Sequence, residues 1–393
     1  MVASNNFFEE KKDWSLLKDR IIENYLKPYI AKILSTRIPL VIVDCFAGKG
    51  KFNDDTIGSP LIIADHIKNV LESDSYSNKA IKGIFIEKKY FRELEENLKD
   101  FRKCEVREGS FEDHIQYILE SNNRNINLFL YVDPYGIKSL DFCNFREMAE
   151  KKFRSVELLM NFNSFGFLRE GARLLKYPEF EREFEDSDYE FDEKNSIPNM
   201  NKIAAGDYWQ EILKRKIRCG ISMFEAEESF MNEYSKKVKE IFKYTVNIPI
   251  RKKAEQLPKY RLIFGTNHKD GLFLMVDQMN KAWKDILNNA RGGQRLMFEE
   301  FQFPDMTKMR QFDIEADILK SLSREKEVLY EDLLAILIDR YGISYSTKEY
   351  RDRIIGLEKN CKLVVRRDPL LTPTGKTARS WDFKEYKIYL GLK

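Results

Sequence analysis

The stretch IPLVIVDCFAGKG, residues 38–50, decides the fold. Ile38–Asp44 is apolar at odd and even positions alike and rich in β-branched residues, as in a parallel strand buried on both faces. It runs into a loop with Gly48 and Gly50, which continues to Gly58. Ser59-Pro60 then opens a helix to about Val70, with Ser59 read as N-cap and Pro60 at the first helical position, where its missing N–H is harmless. Strand, glycine loop and helix together begin an α/β unit of the nucleotide-holding kind.

Before this unit, Leu16, Leu17, Ile21, Ile22, Tyr25, Leu26, Tyr29, Ile30 and Ile33 recur at three- and four-residue steps, giving an amphipathic helix over Trp14–Leu34. After it, strands Gly83–Ile86, Glu105–Arg107, Leu128–Val132 and Val156–Met160 alternate with helices Lys88–Phe101, Phe111–Leu119 and Phe142–Ala149. The alternation predicts a doubly wound, Rossmann-like, mostly parallel sheet. Asn161–Leu175 reads as helix, and a helical insertion over about 176–241 begins with the charged run PEFEREFEDSDYEFDEKNS. Lys243–Ile250 and Tyr260–Thr266 read as strands forming an antiparallel edge pair. The expected organisation is a helical segment 1–37, a sheet domain 38–290 closing with helix Leu272–Ile286, a linker 291–311 and a smaller domain 312–393. In that last domain, three helices and a β-hairpin suggest a winged helix-turn-helix.

Composition narrows the function classes. Lys plus Arg number 67 against 64 Asp plus Glu, so any nucleic-acid surface must be local. The 28 Phe and 19 Tyr fit large cores first and base-stacking surfaces second. Five scattered cysteines without C-x-x-C spacing and three distant histidines point to reduced thiols and no metal site. No apolar run reaches the ~20 residues of a membrane span, and the charged N-terminal stretch does not read as a signal peptide, so no membrane contact and a cytoplasmic protein are expected.

The ligand of a doubly wound sheet lies beyond the carboxyl ends of its strands. There the first strand delivers Asp44, Phe46, Ala47, Gly48 and Gly50, the glycines serving a tight turn and close backbone approach. The second strand ends in Glu87, a carboxylate placed to accept both hydroxyls of a ribose. The long spacing from Gly50 to Glu87 and the lack of a third glycine argue against a dinucleotide fingerprint. Ser110 and Phe111, after the third strand, are candidates to flank an adenine, although an aromatic residue at a helix start such as Phe111 is more often simply part of the core. The fourth strand ends in Asp133-Pro134-Tyr135-Gly136. A base amine needs acceptors on its N–H groups and a stacking face rather than a strong base. Asp133 and the Pro134 carbonyl supply acceptors and Tyr135 the face; a plain turn made by Asp, Pro and Gly is the alternative.

Taken together, V-D-x-F-A-G-x-G, G-S-P-L, F-I-E-K and Y-V-D-P-Y-G resemble class I S-adenosylmethionine-dependent methyltransferases, and more closely the three-Cys-motif partner family. Trp14, Lys18, Tyr25 and Leu26 are similar to that family's leading helix, and Tyr260–Met279 to its late strand and helix; the resemblance covers roughly residues 13–287. It implies S-adenosylmethionine as cofactor and a partner protein that carries three cysteines and looks like a radical-S-adenosylmethionine enzyme. In the D-P-P-Y pattern of amino-methyltransferases the aromatic residue stands fourth, whereas here it stands third.

In the tail, Lys348, Arg351 and Arg353 lie on the expected third helix and Lys362, Arg366 and Arg367 on the wing, the pattern of a groove-reading helix with a phosphate-contacting wing. Glu349, Asp352 and Glu358 interrupt it, as a protein-docking surface would. The leading expectation is a methyltransferase acting on a flipped-out DNA or RNA base. Its rivals are a noncatalytic subunit that binds cofactor or nucleic acid, and a magnesium-dependent nuclease or phosphotransferase using Asp44, Glu87 and Asp133.

Overall fold

A computed structural model describes residues 13–121, 125–137, 140–151, 153–178, 195–251, 258, 260–290, 313–322, 327–382 and 385–393. It divides into two compact units, Met1–Asn267 and His268–Lys393.

The first unit holds β1 (Leu40–Asp44), β2 (Ile81–Glu87), β3 (Cys104–Glu108), β4 (Asn127–Val132), β5 (Ser155–Phe162), β6 (Tyr244–Ile250) and β7 (Tyr260–Thr266), in the order β3-β2-β1-β4-β5-β7-β6. Strands β1 to β5 are parallel, and β7 runs antiparallel to both β5 and β6. The mostly parallel α/β sheet expected from the sequence is therefore present, and β6 and β7 form the expected antiparallel pair at its edge, with β7 inside and β6 outermost. Burial accounts for that order, because β7 is buried from Arg261 onward, whereas β6 is partly exposed and carries Pro249. Proline cannot donate to a ladder and is tolerated at an edge.

The helices of this unit are α1 (Asp13–Ser35), α2 (Ser59–Glu72), α3 (Phe91–Leu98), α4 (Phe111–Ser121), α5 (Phe142–Glu150), α6 (Ser164–Leu174), α7 (Ile197–Ala204), α8 (Tyr208–Cys219) and α9 (Met223–Ile241). Because strand side chains alternate, each strand feeds two cores. On one face Tyr25 of α1 lies 5.9 Å from Phe129 and 5.4 Å from Phe264, ring centroid to centroid. On the other, Val41, Val43, Ile84, Leu130 and Leu158 join Phe111, Phe142 and Phe145 in one buried cluster.

The same cluster contains Trp209, Phe230 and Tyr234, so the described part of the expected insertion completes a core rather than standing apart from it. Gly171 makes room for this packing, since a Cβ there would meet the Trp209 ring at 2.7 Å. The charged run at 179–194 lies outside the described residues, and α7 was not anticipated. Another difference bears on the site. The helix expected from Asn161 begins only at Ser164, capped by Asn163, whose side chain accepts from the Gly166 amide at 2.7 Å. Asn161 therefore belongs to the end of β5.

The second unit comprises α10 (Lys269–Ala290), α11 (Ile314–Lys320), β8 (Val328–Leu329), α12 (Tyr330–Tyr341), α13 (Thr347–Lys359), β9 (Leu363–Asp368) and β10 (Lys387–Leu392), with an antiparallel sheet β8-β10-β9. Helix α10, expected to close the first domain, belongs here instead. Its Asp277 accepts from the Thr347 amide and hydroxyl at 2.8 and 2.7 Å, and its Asn280 donates to the Ile343 carbonyl at 2.8 Å. The expected linker 291–311 lies outside the described residues. No helix among those described is long and apolar enough to cross a membrane.

One buried ion pair ties α9 to the sheet. Arg261 of β7 donates to Glu227 at 2.9 and 2.5 Å, and Ser164 donates to the same carboxylate at 2.7 Å. Replacing one partner strands the other charge in the core. Arg261→Met is expected to destabilise the protein by about 3–5 kcal/mol in denaturant unfolding, while Glu227→Met combined with Arg261→Met recovers much of that loss.

Candidate functional site

The strand order reverses at β1, with β2 on one side and β4 on the other, so the crevice between the carboxyl ends of β1 and β4 is the switch point. At the end of β1, Asp44 is wholly buried and accepts from the Ser59 hydroxyl at 2.8 Å and the Phe46 amide at 3.3 Å. Ser59 is thus not the helix cap. Gly58 occupies that position without a side-chain bond, and the Ser59 hydroxyl serves Asp44 instead.

The following turn is stitched to β2. The Ala47 amide donates to the Ile86 carbonyl at 3.0 Å, and the Gly48 amide donates to Glu87 at 2.8 Å. The second oxygen of Glu87 accepts from the amides of Lys89 and Tyr90 at 2.7 and 3.0 Å. Gly48 and Gly50 have φ of 65° and 81°, in the left-handed region that favours glycine. A Cβ on Gly50 would also press on Leu94 at 3.3 Å. Residues 51–57 fold back as a small loop closed by the Gly58 amide on the Gly50 carbonyl at 2.8 Å.

The two residues after β3 have local duties. Ser110 donates to Asp113 at 2.6 Å at the start of α4, and Phe111 is buried against Phe145 with centroids 5.8 Å apart. Phe46 is only partly buried and lies 6.0 Å from Phe111.

At the end of β4, Asp133 is partly exposed and held on both oxygens. The Lys18 ammonium lies 2.6 Å from Oδ2 and the Asn161 amide donates to Oδ1 at 2.7 Å, with the Tyr131 hydroxyl at 3.3 Å from Oδ2. Pro134 is buried, Gly136 has φ of 91°, and Tyr135 is 66% exposed. Sequence reasoning assigned no site role to Lys18 or Asn161. Both left a trace: a lysine on the apolar stripe of α1, four residues before Ile22, and an asparagine closing the apolar run VELLMN. Asn161 is 1% exposed, and its Oδ1 has no hydrogen-bond partner among the described residues.

Burial pushes the Asp44 carboxyl up to about 7, with the charges of Asp133 and Glu87 adding to it and the bonds from Ser59 and Phe46 opposing it. Burial likewise pushes Glu157 up to about 7, against the bonds it accepts from Tyr25 and Thr266. Among the described residues no group of three or more His, Cys, Asp or Glu is arranged to hold a metal ion, so Asp44, Glu87 and Asp133 do not form such a set.

In the second unit the six basic candidates have different surroundings. Lys348 and Lys362 are exposed, while Arg351 is half-buried near Asp277. Arg353 pairs with Glu315 at 3.6 Å. Arg366 forks onto Glu327 at 3.0 and 2.5 Å and stacks over Tyr389. Arg367 is buried, donating to the Ser380 carbonyl at 3.0 Å and lying over Trp381. These two arginines brace the β9–β10 hairpin.

No family model and no curated protein matches this chain. Solved structures do. A CurJ carbon methyltransferase is similar at 11% identity over 62% of this chain and 54% of its own, with a TM-score of 0.31. Spermidine synthase from Thermotoga maritima is similar at 9% identity over 74% and 75%, with a TM-score of 0.32. A dimethyladenosine transferase from Plasmodium falciparum is similar at 11% over 89% and 98%, with a TM-score of 0.27. At scores this low the likenesses carry no argument about the activity of this chain.

The raised carboxyls give stability a sign against pH. Both bind a proton more tightly folded than unfolded, so their contribution is complete below about pH 4 and is lost as pH rises through about 7. Asp44→Asn and Glu157→Gln are each expected to stabilise the chain relative to the parent at pH 8, by on the order of a few kcal/mol, and far less at pH 5. Thermal melts at the two pH values check this.

Proposed function

We propose that the first unit binds S-adenosylmethionine at the carboxyl ends of β1, β2 and β4 and transfers its methyl group to an amine of a DNA or RNA base. The observation that carries the reading is the convergence, at one switch point, of a left-handed glycine turn, Glu87 at the end of β2 and Asp133 at the end of β4. These residues fit the cofactor. The turn leaves no Cβ where a nucleoside must approach, and Glu87 is an acceptor-only group suited to ribose hydroxyls. When bound, S-adenosylmethionine supplies a methyl carbon on a sulfonium that departs as a neutral thioether. A carboxylate offers about four lone-pair sites. Asp133 therefore keeps acceptor capacity beyond Lys18, Asn161 and Tyr131 for the N–H of an attacking amine, with the Pro134 carbonyl beside it and Tyr135 as the stacking face.

In this reading the second unit is a winged helix-turn-helix that positions nucleic acid. Lys348 and Lys362 are its phosphate contacts, while Arg366 and Arg367 hold the wing in shape. The noncatalytic alternative, a subunit serving a three-cysteine partner, has one observation in its favour. Both oxygens of Glu87 and both of Asp133 already have a partner within the chain.

Calorimetric titration of the full chain with S-adenosylmethionine and S-adenosylhomocysteine is expected to show binding of both, lost in Gly48→Trp. Radiolabelled methyl transfer to DNA or RNA is then expected to disappear in Asp133→Ala while cofactor binding persists. Absence of cofactor binding overturns the methyltransferase reading and leaves the noncatalytic one.

A further inference from the structure

Lys18 is 6% exposed, yet its ammonium is paired with Asp133 rather than turned to solvent. Its ammonium contacts the carboxylate at 2.6 Å and lies 5.3 Å from the centre of the Tyr260 ring. Packing does not require it. Helix α1 is already anchored by Ile21, Ile22, Tyr25, Leu26, Tyr29 and Ile30, all buried, and an apolar residue at position 18 would add to that anchor without the cost of desolvating an ammonium.

The surroundings explain the charge. The buried Asp44 carboxyl feels the charges of both Asp133 and Glu87, so three acidic groups gather at the same strand ends. Asn161 holds the second oxygen of Asp133, which fixes the plane of the carboxylate between an ammonium on one side and an amide on the other. Orientation and charge are therefore set by the same two neighbours.

We propose that Lys18 is a positioning residue of the methyl-transfer site, an internal counter-ion that orients Asp133 and offsets its charge where a sulfonium would bind. The inference rests on the S-adenosylmethionine reading. Cofactor and product differ by one positive charge at sulfur, so the ratio of their affinities reports the local potential. With Lys18 in place the Asp133 charge is balanced, and the site does not hold the sulfonium at the expense of its turnover to thioether. Without Lys18 the unbalanced carboxylate favours the sulfonium form.

The test is a set of calorimetric titrations with S-adenosylmethionine and S-adenosylhomocysteine at about pH 8.5, above the range in which Asp44 titrates. Lys18→Met is expected to raise the cofactor-to-product affinity ratio by roughly three- to tenfold. Asp133→Asn, which leaves the lysine charge unbalanced, is expected to lower the ratio by a similar factor. Lys18→Met combined with Asp133→Asn should return it to the parent value, and Lys18→Arg should hold it there. A purely structural lysine would weaken both ligands alike. An unchanged ratio in a folded Lys18→Met protein overturns the proposal while leaving the methyltransferase reading intact. If Lys18→Met does not fold, an unchanged ratio in Asp133→Asn overturns it equally. Failure of the parent to bind either ligand overturns both.

Discussion

A parallel strand buried on both faces can offer polar side chains to a ligand only where it ends. Strands β1, β4 and β5 are buried at every position, and each brings a polar group to the carboxyl edge: Asp44 as the last residue of β1, Asp133 just past β4, Asn161 next to last in β5. Glu157, inside β5, is enclosed instead by Tyr25 and Thr266. Strand parity then puts Asp133 and Asn161 on the face that α1 covers, which is how Lys18 reaches Asp133. The site follows from the sheet, and the sheet from its long apolar runs.

The first unit handles buried charge in three ways. Glu227 is neutralised by Arg261 within the core that α9 completes. Glu157 lies among Tyr25, Tyr29 and Thr266, and burial favours its protonated form over the opposing pull of those hydrogen bonds and of the Lys32 charge. Asp133 stands at the boundary with solvent, paired on one oxygen and amide-bonded on the other. Of the three, only Asp133 combines an ion pair, fixed orientation and partial exposure, which is why the proposed chemistry centres on it rather than on the deeper carboxylates.

Local patterns carried much of this into the sequence. The strand IPLVIVD, the glycine turn and the D-P-Y-G corner are contiguous, and their positions match the structure within a few residues. What was not legible depended on partners far along the chain. The pairing of Lys18 with Asp133 spans 115 positions, and nothing local distinguishes such a lysine from one that snorkels to solvent. The inner place of β7 is decided by competition between two strands for burial, not by either pattern alone. Ser59 met every requirement of an N-cap, but the neighbouring carboxylate of Asp44 claimed its hydroxyl. Arg367, one of six basic residues on paper, is withdrawn into the hairpin by Trp381 and the Ser380 carbonyl.

Glu87 carries a consequence of its own. Its two oxygens gather the amides of Gly48, Lys89 and Tyr90, so one carboxylate joins the turn after β1 to the turn after β2. Three of the roughly four lone-pair sites of that carboxylate are thus taken, so the two hydroxyls of a ribose bound as proposed would have to displace an amide. In that reading ligand affinity and loop rigidity are two readings of a single equilibrium, and the solvent exchange rates of those three amide protons are a built-in gauge of whether the crevice is occupied.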